Sequence, residues 1–247
     1  MPNLYDFTTD KNGCFSFAGE VSADFGVIVS KAPAFEHPTR KAQAFEVPGR
    51  NGVILQQQDA WADVARVYNV WLAVDHADEL PEKANGFAAW LNSIKGYQRL
   101  EDSFEPEVFR LAYYTGGGEI SNQLMQYGEA AVSFNCRPER FYKSGDIARP
   151  LNSGEAIYNP TRFIAKPLIH IEGSGDIIAT INGQSITAQV TDYINIDCER
   201  LNAYRLPAEN MNNKIAGTFP TIAPGVNTVN ISGTVTAATI TPRFYTI

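Results

Sequence analysis

Cysteine and histidine are scarce in this sequence, three of each among 247 residues. Cys14, Cys136 and Cys198 are odd in number and far apart, with no CxxC spacing and no histidine pair nearby, which argues against a disulfide framework or a zinc site. They read as small buried hydrophobes in a protein made in a reducing cytosol. His37 precedes a proline in a loop, His76 follows a strand end, and His170 alternates with Ile169 and Ile171, which turns it to the wetter face of its strand. No GxSxG or HExxH occurs, and no carboxylate or nucleophile is placed beside His170 by any readable motif. The carboxylate pairs Glu101/Asp102 and Asp197/Glu199 read as solvated surface rather than a glycosidase couple. The expectation is a protein that is not an enzyme and holds no cofactor or metal.

Charge is also thin. Charged residues make up 19% of the chain, against an average near 25%, and the net charge is -7. Residues 1–134 carry 18 Asp and Glu against 10 Lys and Arg, net -8, whereas residues 135–247 carry 9 against 10. An acidic first half lacks the clustered cations that grip a phosphate backbone or an anionic membrane. No apolar run reaches 18 residues, so membrane insertion is not expected. Met1-Pro2-Asn3-Leu4-Tyr5-Asp6 has no basic region followed by an apolar stretch and is not read as a secretory leader.

What is present is turn chemistry between short alternating runs. Val47-Pro48-Gly49-Arg50-Asn51-Gly52 is the most specified turn: Pro48 presets φ, and Gly49 and Gly52 supply positive φ at little steric cost. Around it the sequence predicts strands at 14–17, 25–30, 41–47, 53–56 and 64–74, the last apolar on both faces and therefore central. The period changes at Pro81–Gly96, where Ala84, Phe87, Ala88, Leu91 and Ile94 fall at helical spacing, and one amphipathic helix is predicted. Trp90, off that stripe, reads as a core aromatic. Strands follow at 108–115 and 130–136, joined by Gly116-Gly117-Gly118; with no Lys-Ser/Thr and no helix start after it, this loop reads as a hairpin connection rather than a phosphate cradle.

Residues 137–155 are polar and rich in Pro and Gly, and the charge balance changes there, so the boundary is set between domains 1–136 and 137–247. Beyond it, strands are predicted at 162–165, 168–171, 176–181, 184–190, 193–197, 201–204, 227–232 and 236–245. Asn182-Gly183 between two alternating runs is a strong type I′ hairpin signal. That spacing predicts a β-sandwich. All three tryptophans (Trp61, Trp71 and Trp90) lie in the first half, leaving Tyr193 and Tyr204 to serve any saccharide in the second; buried or hydrogen-bonded strand tyrosines are the commoner outcome.

Taken in order, Phe15–Val29, Val47-Pro48-Gly49-Arg50-Asn51-Gly52, the 67–74 strand, Ala89-Trp90-Leu91 and Gly96-Tyr97-Gln98-Arg99-Leu100-Glu101-Asp102 resemble the N-terminal domain of siphophage distal tail proteins (Dit). Asn159-Pro160, the run from Ala165 to Gly173, the Asn-Gly hairpin, Tyr193–Cys198, Ile215–Pro220 and Pro224–Asn227 resemble the second half of the same family. The resemblance implies a mainly β, two-domain fold: an N-terminal β-sandwich or partial barrel with one α-helix, and a C-terminal galectin-like β-sandwich. It implies a homohexameric ring built by the first domain at the distal end of the tail. That ring joins the tail tube and tape-measure proteins to the tail-associated tip protein, and its sandwiches can hold receptor-binding proteins.

DNA would traverse the channel without specific binding, and the protein, made in the host cytoplasm, would reside in the virion. Val47, Pro48, Gly49 and Arg50 are the candidates for a structural turn or a ring interface. For Arg50 an intrachain hydrogen bond is weighed slightly above contact with the next subunit. The alternative reading is an adhesin that recognises host carbohydrate through its galectin-like half; a cell-wall hydrolase stands third, for want of a catalytic constellation.

Overall fold

A computed structural model describes residues 13–116, 120–206 and 209–247. The amino-terminal stretch read as lacking a leader, and Gly117-Gly118 of the glycine loop, lie outside the described residues. The chain divides into two compact units, one running to Arg140 and including Ile247, the other Phe141–Thr246.

The first unit contains β1 (Phe15–Phe17), β2 (Glu20–Val21), β3 (Val27–Val29), β4 (Arg40–Glu46), β5 (Val53–Trp61), β6 (Val64–Leu72), α1 (Leu80–Ser93), β7 (Gln98–Asp102), β8 (Val108–Tyr114) and α2 (Ile120–Tyr127). It also holds most of β9 (Glu129–Tyr142), whose last residues belong to the second unit. Its main sheet runs β2-β1-β7-β8-β9-β6-β3. β6 is interior, between β9 and β3, but its two faces differ: Tyr68, Val70 and Leu72 are buried, while Val67 and Trp71 face outward and are exposed.

α1 covers the buried face through Ala84, Phe87, Trp90 and Leu91. Trp90 stacks on Phe25 at 4.8 Å and lies 6.0 Å from Phe15, which itself stacks on Tyr68 at 4.8 Å. Ring pairs of this kind are worth about 0.5–1.5 kcal/mol each beyond the area they bury. The helix ends earlier than the spacing predicts, because Ile94 already has extended backbone, and Gly96, at φ 71°, serves the turn that follows. A second, short helix stands where the sequence predicts a plain hairpin connection. α2 buries Ile120 and Leu124 in the same core, an i, i+4 pair too brief to register as a period.

The second unit contains β10 (Arg149–Pro150), β11 (Ala156–Asn159), β12 (Leu168–Ile181), β13 (Gln184–Val190), β14 (Tyr193–Asp197), β15 (Asn202–Tyr204), β16 (Ile215–Gly217) and β17 (Gly225–Thr241). They pair in the order β10-β17-β12-β13-β16, with β11 on β17, β14 on β12 and β15 on β14. Two predicted pairs of strands, 168–171 with 176–181 and 227–232 with 236–245, are each one long bent strand. The first half of β12 pairs with β14 and its second half with β13, and the register on β17 shifts between Ser174 and Ile178. The two strands thereby serve both layers of a sandwich, whose core includes Ile169, Ile171, Ile177, Ile181, Ile194, Ile196 and Ile240.

The bend has a steric basis. A Cβ on Gly173 would lie 2.3 Å from the Thr234 carbonyl oxygen, and one on Gly233, at φ 112°, would lie 2.6 Å from the Asp176 carbonyl oxygen. The Asn182-Gly183 turn has φ 50° and 79° and joins Ile181 to Gln184, the type I′ geometry the sequence predicts. The predicted strand at 162–165 is instead a loop with one bridge, Ala165 to Ile222. Asn159 accounts for it: its Oδ1 accepts from the Thr161 N–H at 2.9 Å and its amide donates to the Phe163 carbonyl at 2.9 Å, a turn that competes with extended pairing.

Candidate interaction site

β4 and β5 form a two-stranded sheet of their own. Glu46 pairs with Val53, Phe45 with Ile54, Ala44 with Leu55 and Gln43 with Gln56. Every residue from Arg40 to Asp59 is exposed. Because directly opposed residues share a face, Phe45 and Ile54 form an apolar pair on one side, and Leu55 with Ala44 and Val53 forms another on the reverse. Phe45, Val53, Ile54 and Leu55 are each between 44% and 54% exposed. A lone two-stranded hairpin is marginal in water, and burying one large apolar side chain is worth about 1.5–3 kcal/mol. On this arm four such side chains remain in contact with water.

Val47, Pro48, Gly49 and Arg50 come together at its tip. The Arg50 N–H donates to the Val47 carbonyl at 3.2 Å, with proline second and Gly49, at φ 80°, third, as a type II turn requires. The Arg50 backbone thus closes the turn, while its guanidinium is exposed and makes no hydrogen bond or ion pair among the described residues. At the base, the Arg40 guanidinium lies over the Trp61 ring, 4.8 Å from its centroid. The arm is locally cationic: Arg40, Lys41 and Arg50 stand against Glu46 and Asp59, in a half of the chain that is net -8.

The segment leading into the arm is tied to the sheet by Arg66, which sequence reasoning did not single out. This arginine sits on the buried face of β6. It donates to Asp102 Oδ2 at 2.7 Å and to the Ala34 carbonyl at 3.2 Å, with its guanidinium 5.9 Å from the Phe35 ring centroid. Asp102 also accepts from the Tyr68 hydroxyl at 2.8 Å and from the N–H groups of Phe104 and Glu105. Glu105 binds Arg66, Arg110 and Arg140, extending the network. Burial alone would favour a neutral Arg66, yet Tyr68 and Asp102 outweigh it and hold the guanidinium charged, its pKa above the ordinary value. Burial, joined by the Asp102 charge, pushes the Tyr68 hydroxyl up in turn.

The carboxylates read as solvated surface are therefore mostly not so. Glu101, Asp102 and Asp197 are buried, the first held by Arg99 and the last by Arg243 at 2.7 and 3.1 Å and by the N–H groups of Glu199 and Arg200; Glu199 alone of the four stays partly exposed. They serve as structural counter-charges. His170 does have a carboxylate beside it: Nε2 lies 3.2 Å from Glu172 Oε1 and Nδ1 lies 2.8 Å from Asn195 Oδ1. The signal was there in the i, i+2 alternation, which puts Glu172 on the same face. All three cysteines are buried and free, and burial pushes the Cys136 and Cys198 thiols up to about 12. Among the described residues no group of three or more His, Cys, Asp and Glu could hold a metal ion, and no helix is long and apolar enough to cross a membrane.

Together these features define a mainly β protein of two compact units, the first carrying an exposed hairpin arm. The fold is similar to that of the distal tail protein (Dit) of phage SPP1, described as a paradigm of the hub adsorption apparatus in phages infecting Gram-positive hosts: the TM-score is 0.73 over 96% of this chain and 100% of that one, at 11% identity. A chain of the phage p2 baseplate in its activated conformation matches with a TM-score of 0.49 and 10% identity over 93% of this chain and 96% of that one. No protein-family model matches the sequence, and neither does any curated protein. The resemblance read in the sequence holds at the level of the fold.

Proposed function

We propose that this chain is the structural hub of a siphophage tail tip, a distal tail protein that assembles as a homohexameric ring through its N-terminal domain, residues 1–136 as read from the sequence, and projects the galectin-like 137–247. The observation that carries the reading is the β4–β5 arm. It is apolar on both faces, exposed along its length and locally cationic on an otherwise acidic unit. A cationic arm on an acidic body favours head-to-tail contact between copies, and a heterologous contact of that kind closes into a ring when its rotation permits. Val47, Pro48, Gly49 and Arg50 then form the tip that meets the next subunit.

The fold shared with a hub protein of the adsorption apparatus supports the same role. In it, the ring links the tail tube and tape-measure proteins to the tail-associated tip protein and receptor-binding proteins within the virion. An acidic first unit around a channel would keep DNA phosphate from adhering, through like-charge repulsion within a Debye length of about 8 Å. The test is native mass measurement, alone and with the tip partner. The chain should form a hexamer, and a Phe45→Ser/Leu55→Ser variant should remain monomeric with its unfolding midpoint unchanged. A wild-type chain that stays monomeric with its tip partner overturns the reading.

A further inference from the structure

We propose that Asn51 is a site of spontaneous covalent modification: its side-chain amide is lost to attack by the next backbone nitrogen, and the arm acquires a negative charge at its tip. Four asparagines precede a glycine in this chain, Asn12, Asn51, Asn85 and Asn182. A glycine in that place leaves the attacking nitrogen without a side chain to crowd it. Asn12 lies outside the described residues, and the other three stand in different surroundings.

Asn51 is exposed, and neither its side-chain amide nor the Gly52 N–H has a hydrogen-bond partner among the described residues. Gly52 has φ 81°, and a Cβ built on it would meet nothing within 4 Å, so the approach to the Asn51 carboxamide is open. Asn182 is exposed too, but its amide is held. Nδ2 donates to Oδ1 of the fully buried Asn227 at 2.6 Å, and Oδ1 accepts from the Thr228 N–H at 3.0 Å. Both ends of that carboxamide are thus tied to β17, and it cannot turn toward Gly183 until those bonds open. Asn85 lies inside α1, where the Gly86 N–H belongs to the helix ladder and helical dihedrals keep that nitrogen off the carboxamide.

Water is the only co-reactant. The Gly52 nitrogen gives up its proton and bonds to Asn51 Cγ, the Cγ–Nδ2 bond breaks, and ammonia leaves carrying that proton, closing a five-membered imide. Water then opens either imide carbonyl, yielding aspartate or its β-linked isomer, each with an ionised carboxyl at neutral pH. On the arm, Arg40, Lys41 and Arg50 against Glu46 and Asp59 leave one net positive charge, and a new carboxylate beside Arg50 cancels it. The β-linked product also adds a backbone carbon just before Val53, whose pairing with Glu46 sets the hairpin register at the tip. In the ring reading, on which this consequence alone rests, loss of that charge weakens the contact between copies, so chains that wait unassembled lose competence with age.

The experiment incubates the full chain at pH 8 and 37 °C, at a dilution where native mass measurement shows the monomer, and follows each Asn-Gly peptide by mass spectrometry for the gain that marks exchange of an amide for a carboxyl. Asn51 should be modified at least about tenfold faster than Asn182 or Asn85, and in urea the three rates should converge to within about threefold. Native rates within about threefold of one another, Asn182 or Asn85 ahead of Asn51, or an Asn51 that reacts only in urea overturns the proposal. Asn51→Asp, which carries the charge without the backbone change, should raise the concentration needed for half-assembly about threefold, and Asn51→Gln should leave it unchanged. An Asn51→Asp chain that assembles as the wild type does overturns the link to assembly. A chain that is modified at Asn51 but forms no hexamer with its tip partner overturns the ring reading and leaves the modification site standing.

Discussion

Arg66 Nη2 lies 2.7 Å from Asp102 Oδ2, with both side chains almost wholly withdrawn from water. The pair sits below the strand that follows the arm, and the same guanidinium holds the Ala34 carbonyl of the segment that precedes it. One buried charge pair thus fixes both ends of the approach to the hairpin.

Removing Asp102 leaves the buried Arg66 charge with only Glu105 to balance it, a carboxylate already shared with Arg110 and Arg140. Asp102→Ala should destabilise the first unit by about 3–5 kcal/mol. Urea unfolding followed by tryptophan fluorescence reads this unit selectively, since Trp61, Trp71 and Trp90 all belong to it. A loss below about 1 kcal/mol would show that the network is dispensable.

Arg50→Ala separates the two roles weighed for that residue. Its guanidinium has no partner among the described residues, and the turn hydrogen bond comes from its backbone, so the unfolding free energy should change by less than about 0.5 kcal/mol. Hexamer formation, read by mass photometry, should be weakened. A large loss of monomer stability would return Arg50 to an intrachain role.

Gly233→Ala should destabilise the second unit by at least about 2 kcal/mol, because the backbone has positive φ and the added methyl meets the Asp176 carbonyl. Gly154→Ala is the control: its φ is 85° but nothing lies within 4 Å, so only the backbone strain is felt. Differential scanning calorimetry should rank the two variants in that order.

Asp197 supplies an acid-sensitive element. Its burial alone raises the carboxyl pKa, but the Arg243 bonds and the Arg200 and Glu199 N–H groups outweigh it and hold the value below the usual carboxylate range. A group depressed in the folded state contributes stability above its unfolded pKa of about 3.9, and loses it as pH falls through the folded value. In urea titrations the wild type should exceed Asp197→Asn in stability at pH 7, with the gap closing below about pH 4. A gap that does not narrow as the pH falls would deny the ionic origin.

Cys136 and Cys198, buried and with thiol pKa values pushed up to about 12, should resist iodoacetamide at pH 8 in the folded chain and react after denaturation. Intact mass before and after urea checks this. Rapid alkylation of the native protein would mean that the cores open readily.

Much of the fold was legible because its signals are local. The Asn182-Gly183 turn, the 184–190 and 193–197 strands, the α1 stripe and the Pro48-Gly49 turn follow from dihedral preference and side-chain period over a few residues. The bent continuity of β12 and β17 was not, since Gly173 and Gly233 read as strand breaks until each is seen against the other strand's backbone. Nor were the buried carboxylates. Asp102 and Asp197 look solvated in sequence because their arginine partners, Arg66 and Arg243, are 36 and 46 residues away.

The same division runs through the candidate site. By itself, the sequence determined the turn, the apolar residues flanking it, the acidic balance of the first half and the absence of a catalytic motif, all of which are properties of residue type and short spacing. Only the tertiary structure decided that β4 and β5 stand apart from both sheets with their apolar pairs uncovered, and that of two exposed Asn-Gly pairs Asn51 has its amide free while Asn182 has it held by β17. Exposure and juxtaposition depend on what the rest of the chain fails to cover or brings alongside, and no local pattern encodes that.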